Sequence, residues 1–555
     1  MKKLILVLAL LLGPTAVTAQ GIVSSADPRA SAAGQQILRE GGSAADAAMA
    51  MMLALTVVEP QSSGIGGGGF LLHHDGKTGK LETINGREKA PMAATPERFL
   101  DEDGKPLPYF KAVPGGRSVG VPGNVRLLAM THAKWGKLPW KALFAPAIKL
   151  AEEGYQVTQP MANGIGFVSQ YWSKFPDTAK QYLDANGKPL TVGTTVKNPK
   201  LAAILRRLAD EGPEAFYSGA NAEEIVRVTT GASQNPSDMT LADLAAYQAQ
   251  ERPPVCGKYR GYRICGMGPP SSGATTVLQI LGMIERFDMK KLGKDSPVAW
   301  HLIGEAMLLA YADREKYLGD PDFVDVPVAG LIDPAYVKSR SRLISATKSL
   351  GSYEAGTPPG AKPRTAAIQN EVPSTTHFVA VDRNGDVVSM TSTVEGPFGS
   401  QLLANGFVLN NELTDFTMAP EKDGKPVANR VEPGKRPLSS MSPTMVYDAK
   451  GKPIFTVGAA GGKTIIMQVA KALIAHLDWN ESARDAIGEG LIYFNGDTLV
   501  LEQGTGREAL KPALEKLGHK VNIAKLGLKA NAAELTVSGW VGAADPRSVG
   551  VALAE

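Results

Sequence analysis

The chain has 555 residues, 43% apolar, 6% aromatic and 21% charged, with 60 Gly and 38 Pro; this excludes collagen-like, low-complexity and disordered classes and allows a large buried core. Lys and Arg number 59 against 55 Asp and Glu, a formal charge of +4. That balance, with no basic block interleaved with aromatics, argues against nucleic acid as a partner.

The first element is a leader: Lys2 and Lys3, an apolar run from Leu4 to Leu12, the breakers Gly13 and Pro14, and a small-residue ending at Val17-Thr18-Ala19. The run is far shorter than the roughly 18 to 20 residues that cross a bilayer. Residues 1–19 therefore read as a secretory signal peptide, the mature chain as periplasmic or secreted, with no membrane anchor.

Gly21 to Asp27 predicts a short strand, followed by a helix to about Arg39. Ala44 to Val58 is almost wholly apolar, with Ser43 and Asp46 spaced as a cap, and predicts a buried core helix. A Gly-rich loop from 64 runs into a strand at Phe70 to His74. Helices follow at about 138–153, 198–211, 240–248, 273–286 and 297–317. Cys256 and Cys265, the only cysteines, flank a hairpin about Arg260-Gly261. A two-residue loop there sets them opposite each other with Cα atoms about 4.5 Å apart, compatible with a disulfide and equally with two free thiols. Without a neighbouring histidine they make no zinc site.

From 351 to 373 the apolar period is lost, which predicts an exposed, mobile segment. Thr375 to Val381, the turn Asp382-Arg383-Asn384-Gly385 and Asp386 to Thr393 then form the sharpest hairpin signal in the chain. Folding about Asn384-Gly385 sets Thr376 opposite Thr393; a loop changed by one residue sets Thr375 there instead. Further strands are expected at 406–410, 443–448 and 453–457, and helices at about 463–478 and 505–517.

Several motifs fail on context. Gly64 to Gly69 satisfies G-x-G-x-x-G, but a helix precedes it and a strand follows, the reverse of a dinucleotide fold. Gly458 to Thr464 is one residue short of a phosphate loop. Seven scattered His, whose one adjacent pair (His73, His74) points to opposite strand faces, offer no metal constellation, and there is no Gly-x-Ser-x-Gly elbow. What survives is a threonine opening a strand behind a linker, with a second threonine brought beside it. A threonine at a new N-terminus carries its own base, because a free α-amine titrates at about 7.7 to 8.0. Cleavage between Ser374 and Thr375 would make such a terminus.

Thr375-Thr376-His377, Thr391-Ser392-Thr393, Phe398-Gly399, Asn410-Asn411-Glu412, Asp415-Phe416, Lys435 to Met441 and Gly461-Gly462 together resemble the γ-glutamyltransferase (glutathione hydrolase) family. Val58-Glu59-Pro60, Ser62 to Phe70, Arg87-Glu88, Ala90-Pro91 and Tyr317 to Phe323 resemble it upstream, in the same order. The resemblance implies an α+β fold, the N-terminal-nucleophile αββα sandwich of two stacked, mainly antiparallel sheets flanked by helices. It implies a precursor that cuts itself into a large subunit (20–374) and a small subunit (375–555), with no cofactor and no metal. By the same resemblance Thr375 is the nucleophile, Thr393 its hydroxyl partner, and Gly461 and Gly462 the oxyanion donors. Arg87 with Ser439 and Ser440 holds the donor's α-carboxylate, and Asp415 helped by Glu412 holds its α-ammonium.

Two departures from the pattern stand out: Glu395 stands where many members carry Asn, and Lys463-Thr464 stands where Ser-Arg is common. Glu395 is expected to reach a donor ammonium and to repel a second carboxylate nearby. Lys435-Arg436 on its own reads as a solvated basic turn. The implied activity is transfer of a γ-glutamyl group from glutathione or a relative to water, an amino acid or a peptide amine. A glutaryl or cephalosporin acylase on the same scaffold is the first alternative, and a non-catalytic periplasmic amino-acid-binding protein is an alternative of another class.

Overall fold

The computed structural model describes residues 21–367, 372 and 374–555; the expected leader lies outside the described residues. Ser43 and Asp46 cap each other's backbone at the start of the helix Ala44–Val58, and every residue of that helix is buried. Asp46 also accepts the N–H groups of Lys137 at 2.9 Å and Leu138 at 3.1 Å, so one carboxylate ties the helix to the end of its neighbour, Asn124–Trp135.

This helix covers a seven-stranded sheet. From edge to edge its strands are Val551–Ala554, Ile22–Ser25, Thr376–Val381, Val387–Thr393, Gly68–His74, Leu81–Gly86 and Gln250–Arg252, every neighbouring pair antiparallel. Because side chains alternate, Val23, Phe378, Ala380, Val388, Met390 and Leu71 join the core of Ala44–Val58. Ile22, Val379, Val381, Val387, Phe70 and Leu72 point the other way, into a second core. That core contains a six-stranded antiparallel sheet in the order Gly539–Ala544, Lys529–Thr536, Pro453–Ala460, Thr444–Tyr447, Tyr262–Gly266 and Val255–Tyr259. Helices Gly273–Ile284, Pro297–Tyr317 and Thr464–Leu477 share the second core. The result is the expected αββα sandwich, whose central strands are buried on both faces and therefore read as continuous apolar runs.

The hairpin pairs Ser392 with Thr376 and Val387 with Val381, so the one-residue loop alternative holds and it is Thr375 that meets Thr393. Cys256 and Cys265 pair in register and are joined by a disulfide. The described part of the expected linker, 351–367, has no helix, and Thr365 makes one isolated bridge with Val427. The basic-turn reading of Lys435-Arg436 is corrected, since both side chains are buried. Lys435 donates to Ala428 O and Glu432, and Arg436 donates to Gln248 O while its backbone N–H meets Asp320. Among the described residues no helix is long and apolar enough to cross a membrane.

Candidate active site

Thr375 precedes the central strand and is 5% exposed, with φ +81°. A β-branched residue in the left-handed region is strained, and the strained torsion adjoins the peptide that joins it to Ser374. Its Oγ1 lies 2.9 Å from Thr393 Oγ1, and Thr393 Oγ1 accepts the Glu395 N–H at 2.8 Å. Ser374 is held by its hydroxyl, which donates to Gln61 O at 2.8 Å. The glycine run that failed as a dinucleotide motif runs beside this hairpin, Gly68 opposite Thr393 and Gly69 opposite Ser392. A Cβ on Gly67 would stand 1.9 Å from Thr393 O, and one on Gly68 2.3 Å from Glu88 Oε2, so only glycine allows the approach.

Arg87, Thr375, Thr393, Glu395, Glu412, Asp415, Ser439, Ser440 and Gly462 line one pocket, joined by Val372, Met441 and Ile465. Arg87 is fully buried and pairs with both Glu412 and Asp415. Its Nε donates to Pro437 O at 3.2 Å and Nη2 to Leu438 O at 2.8 Å. With the bonds to Glu412 and Asp415, four of the five guanidinium N–H groups are committed to the protein. Arg87 is thus left with one N–H for a ligand, so a two-pronged grip on a carboxylate is not available in this arrangement.

Glu88 adds a third carboxyl, 3.9 Å from the guanidinium. Burial works against the charge on Arg87, but Glu412, Asp415 and Glu88 outweigh it and push its pKa up. Burial pushes Glu88 up to about 7 against the pull of Arg87, and it pushes Glu412 well above the carboxylate range, with Glu88 and Glu395 adding repulsion. One cation facing three carboxyls cannot stabilise all three as anions, so Glu412 and Glu88 are pushed toward their protonated forms. Ser440 Oγ accepts from Arg314 Nη2 at 2.9 Å, and Arg314 Nε donates to Ser272 Oγ at 2.8 Å. Ser439 is anchored by its backbone, donating to Pro270 O at 3.0 Å and accepting from Ser272 N at 2.7 Å.

Gly461 and Gly462 form the turn between strand Pro453–Ala460 and helix Thr464–Leu477, at φ +132° and +58°. Among the described residues neither N–H donates within the protein, so both remain available at a helix N-terminus. Gly462 lines the pocket; Gly461 lies beside it in the chain but outside that lining. At the Lys463 departure the cation still finds a carboxylate, Glu315, at 3.1 Å. Glu395 accepts from Tyr109 OH at 2.6 Å and from Asn411 Nδ2, and adopts φ +75°.

Tyr109, Asn411 and Arg314 thus hold site residues in place, and sequence reasoning assigned none of them a role. Asn411 stood inside a quoted motif; Tyr109 and Arg314 carry no local signal. Among the described residues, the pocket lining contains no histidine or cysteine.

A family model described as Gamma-glutamyltranspeptidase matches residues 30–555. The chain is 40% identical over 511 residues to the glutathione hydrolase proenzyme of Bacillus subtilis (strain 168), covering 90% of this chain and 85% of that one. A solved cephalosporin acylase from Bacillus halodurans superposes with a TM-score of 0.84 at 28% identity, covering 97% of this chain and 96% of its own. A solved Helicobacter pylori gamma-glutamyltranspeptidase chain matches with a TM-score of 0.59 at 36% identity, covering 63% of this chain and 99% of its own.

Proposed function

The chain belongs to the gamma-glutamyltranspeptidase family, and on that premise we propose that it is an exported γ-glutamyl hydrolase and transferase that matures by cutting itself before Thr375. The observation that carries the reading is the Thr375–Thr393 hydroxyl pair, 2.9 Å apart, at the wall of a buried pocket with one guanidinium and a surplus of carboxyls. That charge pattern suits an amino acid head: its α-ammonium brings a second cation beside Asp415 and Glu412, which favours both as carboxylates. Its carboxylate takes the remaining Arg87 N–H with help from Ser439 and Ser440.

In the precursor, Thr375 Oγ attacks the Ser374 carbonyl, the amide nitrogen leaves as the new α-amine, and water hydrolyses the resulting ester. The strained φ of Thr375 favours this exchange, and Val372 lines the pocket in the uncut chain, so cleavage also clears the way for a donor. Residues 20–374 would form the large subunit and 375–555 the small one. The H. pylori chain covers 63% of this one, much the same share as 20–374 represents, which supports the division. Thr375 Oγ then attacks the γ-carbonyl of glutathione or a related donor, and its own α-amine accepts the proton. The N–H groups of Gly461 and Gly462 face the tetrahedral oxygen, each worth about 3 to 4 kcal/mol in comparable sites. The donor's amine departs with a proton, and water or an acceptor amine takes the γ-glutamyl group from the ester.

N-terminal sequencing of the purified protein tests this. A second terminus beginning Thr-Thr-His is expected, and none in Thr375→Ala; an active protein uncut at that junction overturns the reading, and an intact chain that binds amino acids without turnover would make it a binding protein. Recovery of the chain from the periplasm or medium without residues 1–19 tests export. The likeness to the cephalosporin acylase supports a second reading, cleavage of glutaryl side chains, whose substrate lacks an α-amine. Faster turnover of a glutaryl than of a γ-glutamyl anilide would favour it.

A further inference from the structure

Outside the pocket, a second group of polar side chains converges in the core. Helix Pro297–Tyr317 presents His301 and Glu305 four residues apart, on one face, and His519 stands just before strand Lys520–Ala524. All three are buried, and one ligand atom from each lies within 4.8 Å of the other two. We propose that His301, Glu305 and His519 form a binding site for a divalent transition cation of the zinc type, tying the helix of residues 20–374 to the segment contributed by 375–555.

Hydrogen bonding sets the ring that matters. His301 Nε2 lies 2.7 Å from Ser345 O, and a carbonyl can only accept, so Nε2 carries the hydrogen and the Nδ1 lone pair faces the cluster. This backbone-carbonyl contact is the outer-shell partner that metal-bound histidines typically have. In the cation-free arrangement the lone pair accepts from His519 Nε2 at 2.6 Å. Glu305 is oriented by Tyr353 OH at 2.5 Å and Leu350 N at 3.0 Å, and its Oε1 lies 3.9 Å from His519 Nε2. Among the described residues no lysine or arginine forms an ion pair with Glu305, so a buried carboxyl lacks a cationic partner. Phe494 walls the His519 ring, with centroids 5.6 Å apart.

Two imidazole nitrogens and one carboxylate oxygen form a zinc-type donor set, with a fourth position for water. Binding moves the His519 hydrogen from Nε2 to Nδ1, so no proton is gained or lost at that ring. The two nitrogens separate from 2.6 Å to the roughly 3.3 Å set by two bonds of about 2.0 to 2.1 Å at a tetrahedral angle. The ligand set does not depend on Thr375 chemistry; only the role of clasping two separate fragments rests on the proposed cleavage. The sequence reading found no metal constellation because the third ligand is distant in the chain and only the fold delivers it.

The test uses the full protein, stripped with a chelator and titrated with Zn²⁺, with retained metal and melting temperature as readouts, and with Co²⁺ as a spectroscopic probe. One equivalent of zinc, a rise in melting temperature and the visible band of tetrahedral Co²⁺ are expected. His519→Gln and Glu305→Gln should each retain about tenfold less zinc and lose the thermal shift. Wild-type protein that takes up no stoichiometric metal and shows no Co²⁺ band overturns the proposal whether or not the variants fold. Folded variants that bind as the wild type does also overturn it. N-terminal sequencing of the same preparations reports cleavage separately, so a missing metal site and a missing cut remain distinguishable.

Discussion

Thr375 shows how much of the site rests on single atoms. Its hydroxyl is positioned by Thr393, which is itself positioned by the Glu395 N–H, a short chain of 2.9 and 2.8 Å contacts. Thr393→Val deletes the middle of that chain at constant shape. A lost hydrogen bond worth about 1 to 3 kcal/mol predicts a fall of about five- to 150-fold in the rates of chain cleavage and γ-glutamyl anilide turnover. Densitometry of the cut chain and initial rates measure both, and the Glu395 N–H left without its acceptor lowers the melting temperature as well. Arg87 and its carboxyls predict a pH effect. Burial raises Glu88 to about 7, against the pull of Arg87, from an ordinary value of 4.5, and it titrates together with Glu412. Between those values the folded state holds a proton that the unfolded state releases, so stability is highest below about 4.5, declines as pH rises and levels off above 7. Glu88→Gln removes that titration. The drop in melting temperature from pH 5 to 7.5 is therefore expected to be smaller in the variant than in the wild type, and equal drops would refute the assignment.

At the scale of elements, legibility followed local pattern. Ala44–Val58, with its Ser43 and Asp46 cap, was readable because cap and apolar run lie within one short window. Asp46→Ala leaves the N–H groups of Ser43, Lys137 and Leu138 without their buried acceptor, so a loss of about 2 to 4 kcal/mol is expected in denaturant unfolding. The hairpin of Thr376–Val381 and Val387–Thr393 was readable from its Asn-Gly turn, but its register was not, because the turn chemistry admits two loop lengths. Strand Lys529–Thr536 went unread for the opposite reason. Its alanines have little β-propensity, and it is a strand because Ala530, Ala532 and Ala533 fill narrow space in the second core. Lys435 and Arg436 were misread because buried cations look like solvated ones until their carbonyl and carboxylate partners are in place.

For the whole molecule, the interleaving of strands matters most. Ile22–Ser25 lies between Val551–Ala554 and Thr376–Val381, and Tyr262–Gly266 pairs with Thr444–Tyr447, so both sheets mix segments from before and after residue 375. If the chain is cut there, the two fragments should elute together in size-exclusion chromatography and part only under denaturing conditions. Fragments that separate in native buffer would show that the cut lies elsewhere.

From the sequence alone came the capped helix and the hairpin with its threonines, because caps and turns are written locally; the sandwich and the residues grouped at the pocket came from its resemblance to a known family, carried by motifs in the same order. Tertiary structure decided how those residues spend their bonds. Packing commits four Arg87 N–H groups to the protein, buries Lys435 and Arg436 and joins His519 to His301 across the core. Hydrogen-bond and charge partners distant in sequence are chosen by burial, and burial exists only once the sheets have stacked.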